Sequence, residues 1–260
     1  MTELVLVVLT FFLSIIFSII GIGGASIYIP LLYFFGYEIK QAIITALLLN
    51  IMSSFTSLST QYKAHKPSVA ESKHVLLILI GIIIGGALGS KLFYLFDHGQ
   101  IKILFAAFLI FLAYNLYRDK INYKIKGRKI TNISKKEKFL IGTIIGLTAA
   151  LFGIGGGILL VPFFLYKNIE LKKATFFSHL CVFFSSIYAF ILNFSYLGKI
   201  EDMLNLFLLA LVVVIGSNIG SKKLIEKKID DKTIRKVLAG VMLIFGIKIF
   251  LDGMGILNIF

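Results

Sequence analysis

Two glycine-rich decapeptides hold the residue types in this chain best suited to binding chemistry. Gly21-Ile22-Gly23-Gly24-Ala25-Ser26-Ile27-Tyr28-Ile29-Pro30 returns 132 positions later as Gly153-Ile154-Gly155-Gly156-Gly157-Ile158-Leu159-Leu160-Val161-Pro162, with Gly, Ile, Gly, Gly and Pro at matching offsets. Each interrupts an apolar run, and a helix broken at membrane depth needs its freed backbone groups bound or sheltered. The element that restarts after each break points its N-terminal N–H groups, and the positive end of its dipole, at the break, which favours an anion. Glycine lets a ligand approach the backbone and supplies the angles of a tight tip. Pro30 and Pro162, lacking an N–H, are expected early in the short helices that follow. The alternative is that the glycines only let helices pack closely.

Side chains with matching chemistry follow each break. Asn50, Ser53, Ser54 and Ser57 fall at i, i+3, i+4 and i+7, one face of a helix. In the second copy Ser178, Ser185 and Ser186 take the equivalent face, joined by His179. Hydroxyls and amides donate to an oxyanion without placing a fixed charge beside it, which suits a substrate that must also leave. Hydrogen bonding between helices is the competing role for the serines. The candidate binding set is therefore Gly21, Gly23, Gly24, Ala25, Ser26, Asn50, Ser53, Ser54, Gly153, Gly155, Gly156, Gly157, Ser178, His179, Ser185 and Ser186.

Other polar residues in apolar surroundings read as structural. A histidine such as His179 has an ordinary pKa near physiological pH and could carry a proton, but a neutral imidazole bonded to a neighbour is the stronger reading, and its counterpart is Leu47, so a proton role would break the symmetry. Lys248, an intramembrane cation, has Asp252 one turn further on, so an ion pair between them is expected. Gly85-x-x-x-Gly89-Ser90-Lys91 answers Gly216-x-x-x-Gly220-Ser221-Lys222, and small residues one turn apart favour close helix packing. There is no paired intramembrane carboxylate, no His-Glu-x-x-His zinc site and no nucleophile elbow. The sequence predicts no enzyme, no cofactor and no metal site.

The elements that must position these groups are membrane helices. The chain is 58% hydrophobic and 15% charged, with a mean hydropathy of +0.94. Runs of about 20 apolar residues recur, each enough for a hydrocarbon core of ~30 Å. The net charge of +14 lies between those runs, where it orients the chain and meets anionic headgroups; no nucleic-acid reader motif is present. Cys181 is the lone cysteine, so no internal disulfide forms. The opening Met1-Thr2-Glu3 lacks a basic n-region, so no cleaved signal peptide is expected.

The runs fall at Leu4 to Ile20, Ser26 to Phe35, about Gln41 to Ser59, Val75 to Leu95 and Ile101 to Tyr117, then Phe139 to Leu151, Ile158 to Tyr166, Ala174 to Phe194, Met203 to Gly220 and Val237 to Ile256. Residues 1–117 form a first repeat, 118–138 a basic cytoplasmic linker and 139–260 a second repeat. Were each break a kink within one crossing, Lys and Arg would divide 13 to 13 between the sides. Were each a hairpin tip, the repeats would be inverted and the division would be 22 to 4, as positive-inside charge requires. The leg Phe139 to Leu151 also looks too short to cross, at about 20 Å. The expected fold is all-α and polytopic: two inverted repeats, each a glycine-tipped broken hairpin plus three full transmembrane helices, with both termini outside.

These features resemble the sulfite exporter TauE/SafE family. The resemblance is carried by Gly21-Ile22-Gly23-Gly24…Pro30, by Gly153-Ile154-Gly155-Gly156-Gly157…Pro162, and by the span ends at Gly85/Gly89 and Gly216/Gly220, in order over essentially the whole chain. Ala25 stands where the family pattern tends to a third glycine. The resemblance implies a permease of the bacterial or archaeal cytoplasmic membrane for sulfur-containing anions such as sulfite or organosulfonates, without fixing which anion. The expected mechanism is alternating access with the hairpin tips as gate and site, and export, downhill for an anion leaving a negative interior, is favoured over uptake. A small-anion channel and a non-transporting membrane scaffold are the rival classes. The partners expected are the anion and the lipid bilayer, with no nucleic acid; self-association is left open.

Overall fold

The computed structural model describes residues 2–20, 24–62, 69–118, 133–167, 169–197, 203–226 and 231–255. These form α1 (Thr2–Ile20), α2 (Ala25–Phe34), α3 (Ile39–Tyr62), α4 (Val69–Leu95) and α5 (His98–Arg118), then α6 (Lys135–Phe152), α7 (Gly157–Tyr166), α8 (Leu171–Asn193), a 3-10 turn (Phe194–Leu197), α9 (Met203–Ile225) and α10 (Asp231–Gly253). Each expected run falls on a helix over its described residues, and most of the helices extend past the apolar stretch into polar residues. Five helices among the described residues, α3, α4, α5, α8 and α9, contain spans long and apolar enough to cross a membrane. α10 has 23 residues, about 34 Å of helix.

The second hairpin departs from expectation in length. Its first leg, α6, starts at Lys135 and has 18 residues, about 27 Å, so length alone does not keep it from crossing. A capping box starts it early: the Ser134 hydroxyl accepts from the Glu137 N–H, and the Glu137 carboxylate accepts from the Ser134 N–H. The prolines also sit deeper than expected. Pro30 and Pro162 lie inside α2 and α7 rather than in the first turn, where each removes the helical donor to the carbonyl four residues earlier, at Ser26 and Ile158.

The two halves are built through each other. α4 lies along α6, and its counterpart α9 lies along α1. Both seams are glycine seams of parallel helices. A Cβ on Gly81 would meet the backbone of Phe139 and Thr143, one on Gly85 that of Thr143 and Leu147, and one on Gly89 that of Leu147. Gly142 and Gly146 return the contact against Ile78 and Ile82. In the other seam Gly216 faces Phe11 and Ser14, and Gly220 faces Ile15 and Ser18. The small residues therefore act as backbone-to-backbone packing surfaces.

Counterpart helices pack antiparallel. Along α3 and α8, Gln61 meets His179 while Phe55 meets Phe183. Along α5 and α10, Lys102 and Ile103 meet Gly253 while Ala106 and Ile110 meet Gly246. The core gathers around α2, α3 and the tip between α6 and α7, where α2 is buried from Ala25 to Tyr33. Lipid-facing side chains such as Ile83, Ile84, Leu88 and Ile215 remain exposed, as expected of helices solvated by acyl chains.

Candidate functional site

The second tip is built from three left-handed glycines. Gly153 (φ +71°) caps α6 and donates its N–H to the Ala149 carbonyl; Gly155 (φ +65°) and Gly156 (φ +78°) turn the chain into α7. An L side chain is strained at such angles, so the sequence restricts all three positions to glycine. Space restricts them too: a Cβ on Gly155 would lie 2.9 Å from Asn50 Nδ2 and 3.1 Å from Ser186 Oγ, and one on Gly156 would lie 2.2 Å from Ile145 Cγ2.

At the first tip, Gly21 and Gly23 lie outside the described residues. Gly24, the N-cap of α2, has right-handed angles (φ −77°, ψ −16°), unlike its counterpart Gly156. It is glycine for a steric reason, since the Tyr28 ring folds back over it, with Cε2 2.1 Å from where a Cβ would stand.

Asn50 joins the tips. Its Oδ1 accepts from the Ala25 N–H at 3.2 Å, and its Nδ2 donates to the Gly153 carbonyl at 3.5 Å. Ser185 donates to the Gly155 carbonyl at 2.9 Å. Around this bridge stand buried hydroxyls without hydrogen-bond partners: Ser26, Tyr28, Ser54 and Ser186. Ser54 and Ser186 are counterparts, and each sits one helical turn or less from a residue bonded to a tip. An orphaned buried hydroxyl costs about 1–3 kcal/mol. Four such hydroxyls lie close in sequence or space to one side-chain bridge, beside the first turns of α2 and α7, whose leading N–H groups have no intrahelical acceptor.

The structure thus brings together Gly24, Ala25, Ser26, Asn50, Ser54, Gly153, Gly155, Gly156, Gly157, Ser185 and Ser186. It engages Ser53 and Ser57 elsewhere: Ser217 on α9 donates to Ser53 at 2.8 Å, and Ser57 donates to Ser18 on α1 at 3.1 Å. Ser178 and His179 are buried about 10 Å further along α8 than the tip-facing serines. His179 Nδ1 lies 2.9 Å from the Thr175 carbonyl and 3.4 Å from Gln61 Nε2, the neighbour-bonded arrangement.

The expected Lys248–Asp252 pair is replaced by another. Asp252 accepts from Lys102 Nζ at 2.8 Å and from the Tyr33 hydroxyl, whereas the Lys248 ammonium lies 3.7 Å from the centroid of the Phe34 ring. The cation–π contact satisfies the long lysine chain without the carboxylate. Among the described residues no group of three or more His, Cys, Asp and Glu side chains could hold a metal ion.

Sequence reasoning missed Tyr28, Gln61 and Asn193. Asn193 accepts from Ser90 at 2.6 Å and donates to the Ala150 carbonyl at 2.6 Å, just below the second tip. Gln61 and Asn193 stand 132 positions apart, the repeat offset, which is the signal that would have found them. Tyr28 has Leu160 as its counterpart and leaves no such signal.

The chain matches the family description "Sulfite exporter TauE/SafE" over residues 6–249. It is 26% identical to the probable membrane transporter protein YunE of Bacillus subtilis, covering 97% of this chain and 99% of that one. It is 27% identical to a probable membrane transporter protein of Methanocaldococcus jannaschii, covering 93% of each. A third probable membrane transporter protein, from Haemophilus influenzae, is 26% identical over 77% of each chain. No solved structure gives a significant match. With the family pattern running through both glycine tips and nearly every helix, the chain belongs to the sulfite exporter TauE/SafE family and is a multi-pass membrane transporter.

Proposed function

We propose that this transporter carries a small oxyanion, sulfite or an organosulfonate, by alternating access across a bacterial or archaeal cytoplasmic membrane. The observation that carries the reading is the Asn50 bridge between Ala25 and Gly153, ringed by unpartnered hydroxyls. A site made of neutral donors and helix N-termini attracts an anion and releases it again without a fixed cation to detach. The sulfur in the substrate rests on the family description alone.

The halves are read as inverted. Halves of equal orientation would set α3 parallel to α8 and α5 parallel to α10; both pairs run antiparallel. The 22-to-4 division of Lys and Arg then puts the linker inside and the termini outside. Hairpins entering from opposite faces meet at mid-membrane and can expose one shared site alternately. For a lone monoanion, export from a negative interior is downhill by ~2.3 kcal/mol per 100 mV.

Purified protein in liposomes, offered sulfite, sulfonates, sulfate and carboxylates in turn, tests the function. Saturable flux of a sulfur oxyanion that outcompetes carboxylates is expected. Flux that never saturates would replace the carrier with a channel, and no flux of any anion would overturn the proposal. A C-terminal reporter found on the cytoplasmic side would overturn the orientation.

A further inference from the structure

The three left-handed glycines of the second tip face different chemistry. The side chains nearest a Cβ on Gly153 are those of Ile29 and Ile43, and the one nearest a Cβ on Gly156 is that of Ile145. Over Gly155 the neighbours change. A Cβ there would stand 2.9 Å from Asn50 Nδ2, 3.1 Å from Ser186 Oγ and 3.0 Å from Val182 Cγ1. Side chains from α3 and α8, all buried, thus converge on one bare α-carbon.

Two of these groups can donate. Asn50 gives one amide hydrogen to the Gly153 carbonyl and keeps a second. The Ser186 hydroxyl has no partner among the described residues. Ser185, beside it, is already turned to the carbonyls of Gly155 and Val182. The third group, the Val182 methyl, cannot donate. Val182 and Ser186 are one turn apart on α8 and share a face, so the methyl stands beside the donors.

Val182 is the counterpart of Asn50, 132 positions on, whereas Ser54 and Ser186 are a matched pair. The exchange of an amide for a methyl has company. Ser26 and Tyr28, whose buried hydroxyls lack partners, have Ile158 and Leu160 as counterparts. The reverse exchange, Ser178 and His179 for Ala46 and Leu47, falls about 10 Å further along the helix. Repetition therefore does not make the tips chemically symmetric: the first half brings donors, and the second brings carbon beside its serine.

We propose that Val182 sets the selectivity of the site by lying against the vertex of the substrate that carries no oxygen. This deepens the oxyanion reading of the tips and rests on it. A small anion that accepts from Asn50 and Ser186 also meets the Val182 methyl. An oxygen or N–H placed there loses water and gains no partner, whereas a lone pair or a carbon loses little. Sulfite and sulfonates keep their three oxygens on one side of sulfur; sulfate has a fourth to place. The transporter accepts the former and rejects sulfate, a selectivity made by what the site withholds as much as by what it offers.

Methanesulfonate and sulfamate test this without a change of charge. Both are monoanions with three oxygens on sulfur, and they differ by a methyl against an amino group of similar size. With the full chain in liposomes, methanesulfonate should be preferred by about 10- to 100-fold, the range a small apolar pocket supplies. Val182→Thr keeps the side-chain shape and adds a hydroxyl, so it should bring the two anions toward parity. Val213→Thr, the same exchange at a buried valine of α9, should keep the preference. Equal wild-type flux of the two anions, or a preference unchanged in Val182→Thr, would overturn the proposal while oxyanion transport stands. If Val182→Thr does not fold, the wild-type ratio decides. Absence of flux for both anions and for sulfite would instead overturn the oxyanion reading, and this proposal with it.

Discussion

Lys167, at the end of α7, donates to the Glu137 carboxylate, at the start of α6, at 2.5 Å. They stand 30 positions apart with a glycine tip between them, so the pair marks the two feet of one hairpin. Lys167 also rests against the Phe163 and Tyr166 rings. A bismaleimide should therefore link Glu137→Cys to Lys167→Cys within one molecule, in a Cys181→Ala background. Had the break been a kink within one crossing, these positions would stand on opposite faces and no link would form.

The same pair predicts a pH response. The Lys167 ammonium, the Ser134 N–H and the Ser134 hydroxyl hold the Glu137 carboxyl below the ordinary carboxylate range. A carboxyl whose pKa is depressed on folding contributes stability that is fully present above its unfolded value of about 4.3 and is lost as pH falls through the lower folded value. Between neutral pH and that window the wild type should therefore hold a constant advantage over Glu137→Gln, and the two should converge in acid. Thermal midpoints of both across that range check it. Glu137 is exposed, so the advantage is small.

Much of the site was legible in the sequence because glycine has few substitutes where φ is positive or a backbone approaches. Gly153, Gly155 and Gly156 are such positions, and their offset to Gly21, Gly23 and Gly24 made the repeat visible. Asn50 and Ser185 were found by helical spacing, since residues one turn apart share a face. The same spacing could not say which neighbour that face meets. Ser53 and Ser57 therefore looked like tip residues but bond Ser217 and Ser18. Asp252 was paired with Lys248 because they are one turn apart, whereas the fold brings Lys102 from 150 positions away. Such partners are decided by packing, which local pattern does not contain.

Gly155→Ala and Gly36→Ala form a controlled pair. Both positions have positive φ, +65° and +94°, so each alanine costs about 1–2 kcal/mol in backbone strain. Gly36 has nothing within 4 Å of a new Cβ, whereas a Cβ on Gly155 would stand 2.9 Å from Asn50, 3.0 Å from Val182 and 3.1 Å from Ser186, all tighter than van der Waals contact, so those side chains must shift. Both variants should fold, but only Gly155→Ala should lose oxyanion transport. Equal flux in the two, measured in liposomes, would remove Gly155 from the site.

The glycine seam of α4 and α6 should tolerate no added carbon. A Cβ on Gly142 would lie 2.2 Å from the Ile78 carbonyl oxygen, and one on Gly85 would lie 1.9 Å from that of Thr143. Both obstacles are backbone, so relief requires the helices to separate. Gly142→Ala should lower stability by about 1–3 kcal/mol, and Gly85→Ala together with it by more. Gly240→Ala, with open space around it, should stay close to wild type, since alanine favours the helix. Folded yield from detergent-solubilised membranes ranks the three.

Asn50 separates binding from scaffolding. Asn50→Ala leaves the buried Ala25 N–H and Gly153 carbonyl without their partner, at about 1–3 kcal/mol for each, and should weaken both folding and transport. Asn50→Asp keeps an acceptor for Ala25 while removing the donor to Gly153 and placing a carboxylate at the meeting point of the tips. If the tips bind an oxyanion, that charge repels it, so Asn50→Asp should lose flux more completely than Asn50→Ala even where its folded yield is the higher of the two. Measuring flux per folded transporter, normalised by size-exclusion recovery, decides the matter. An aspartate variant that transports as well as wild type would mean that Asn50 only pins the hairpins together and that the substrate passes elsewhere.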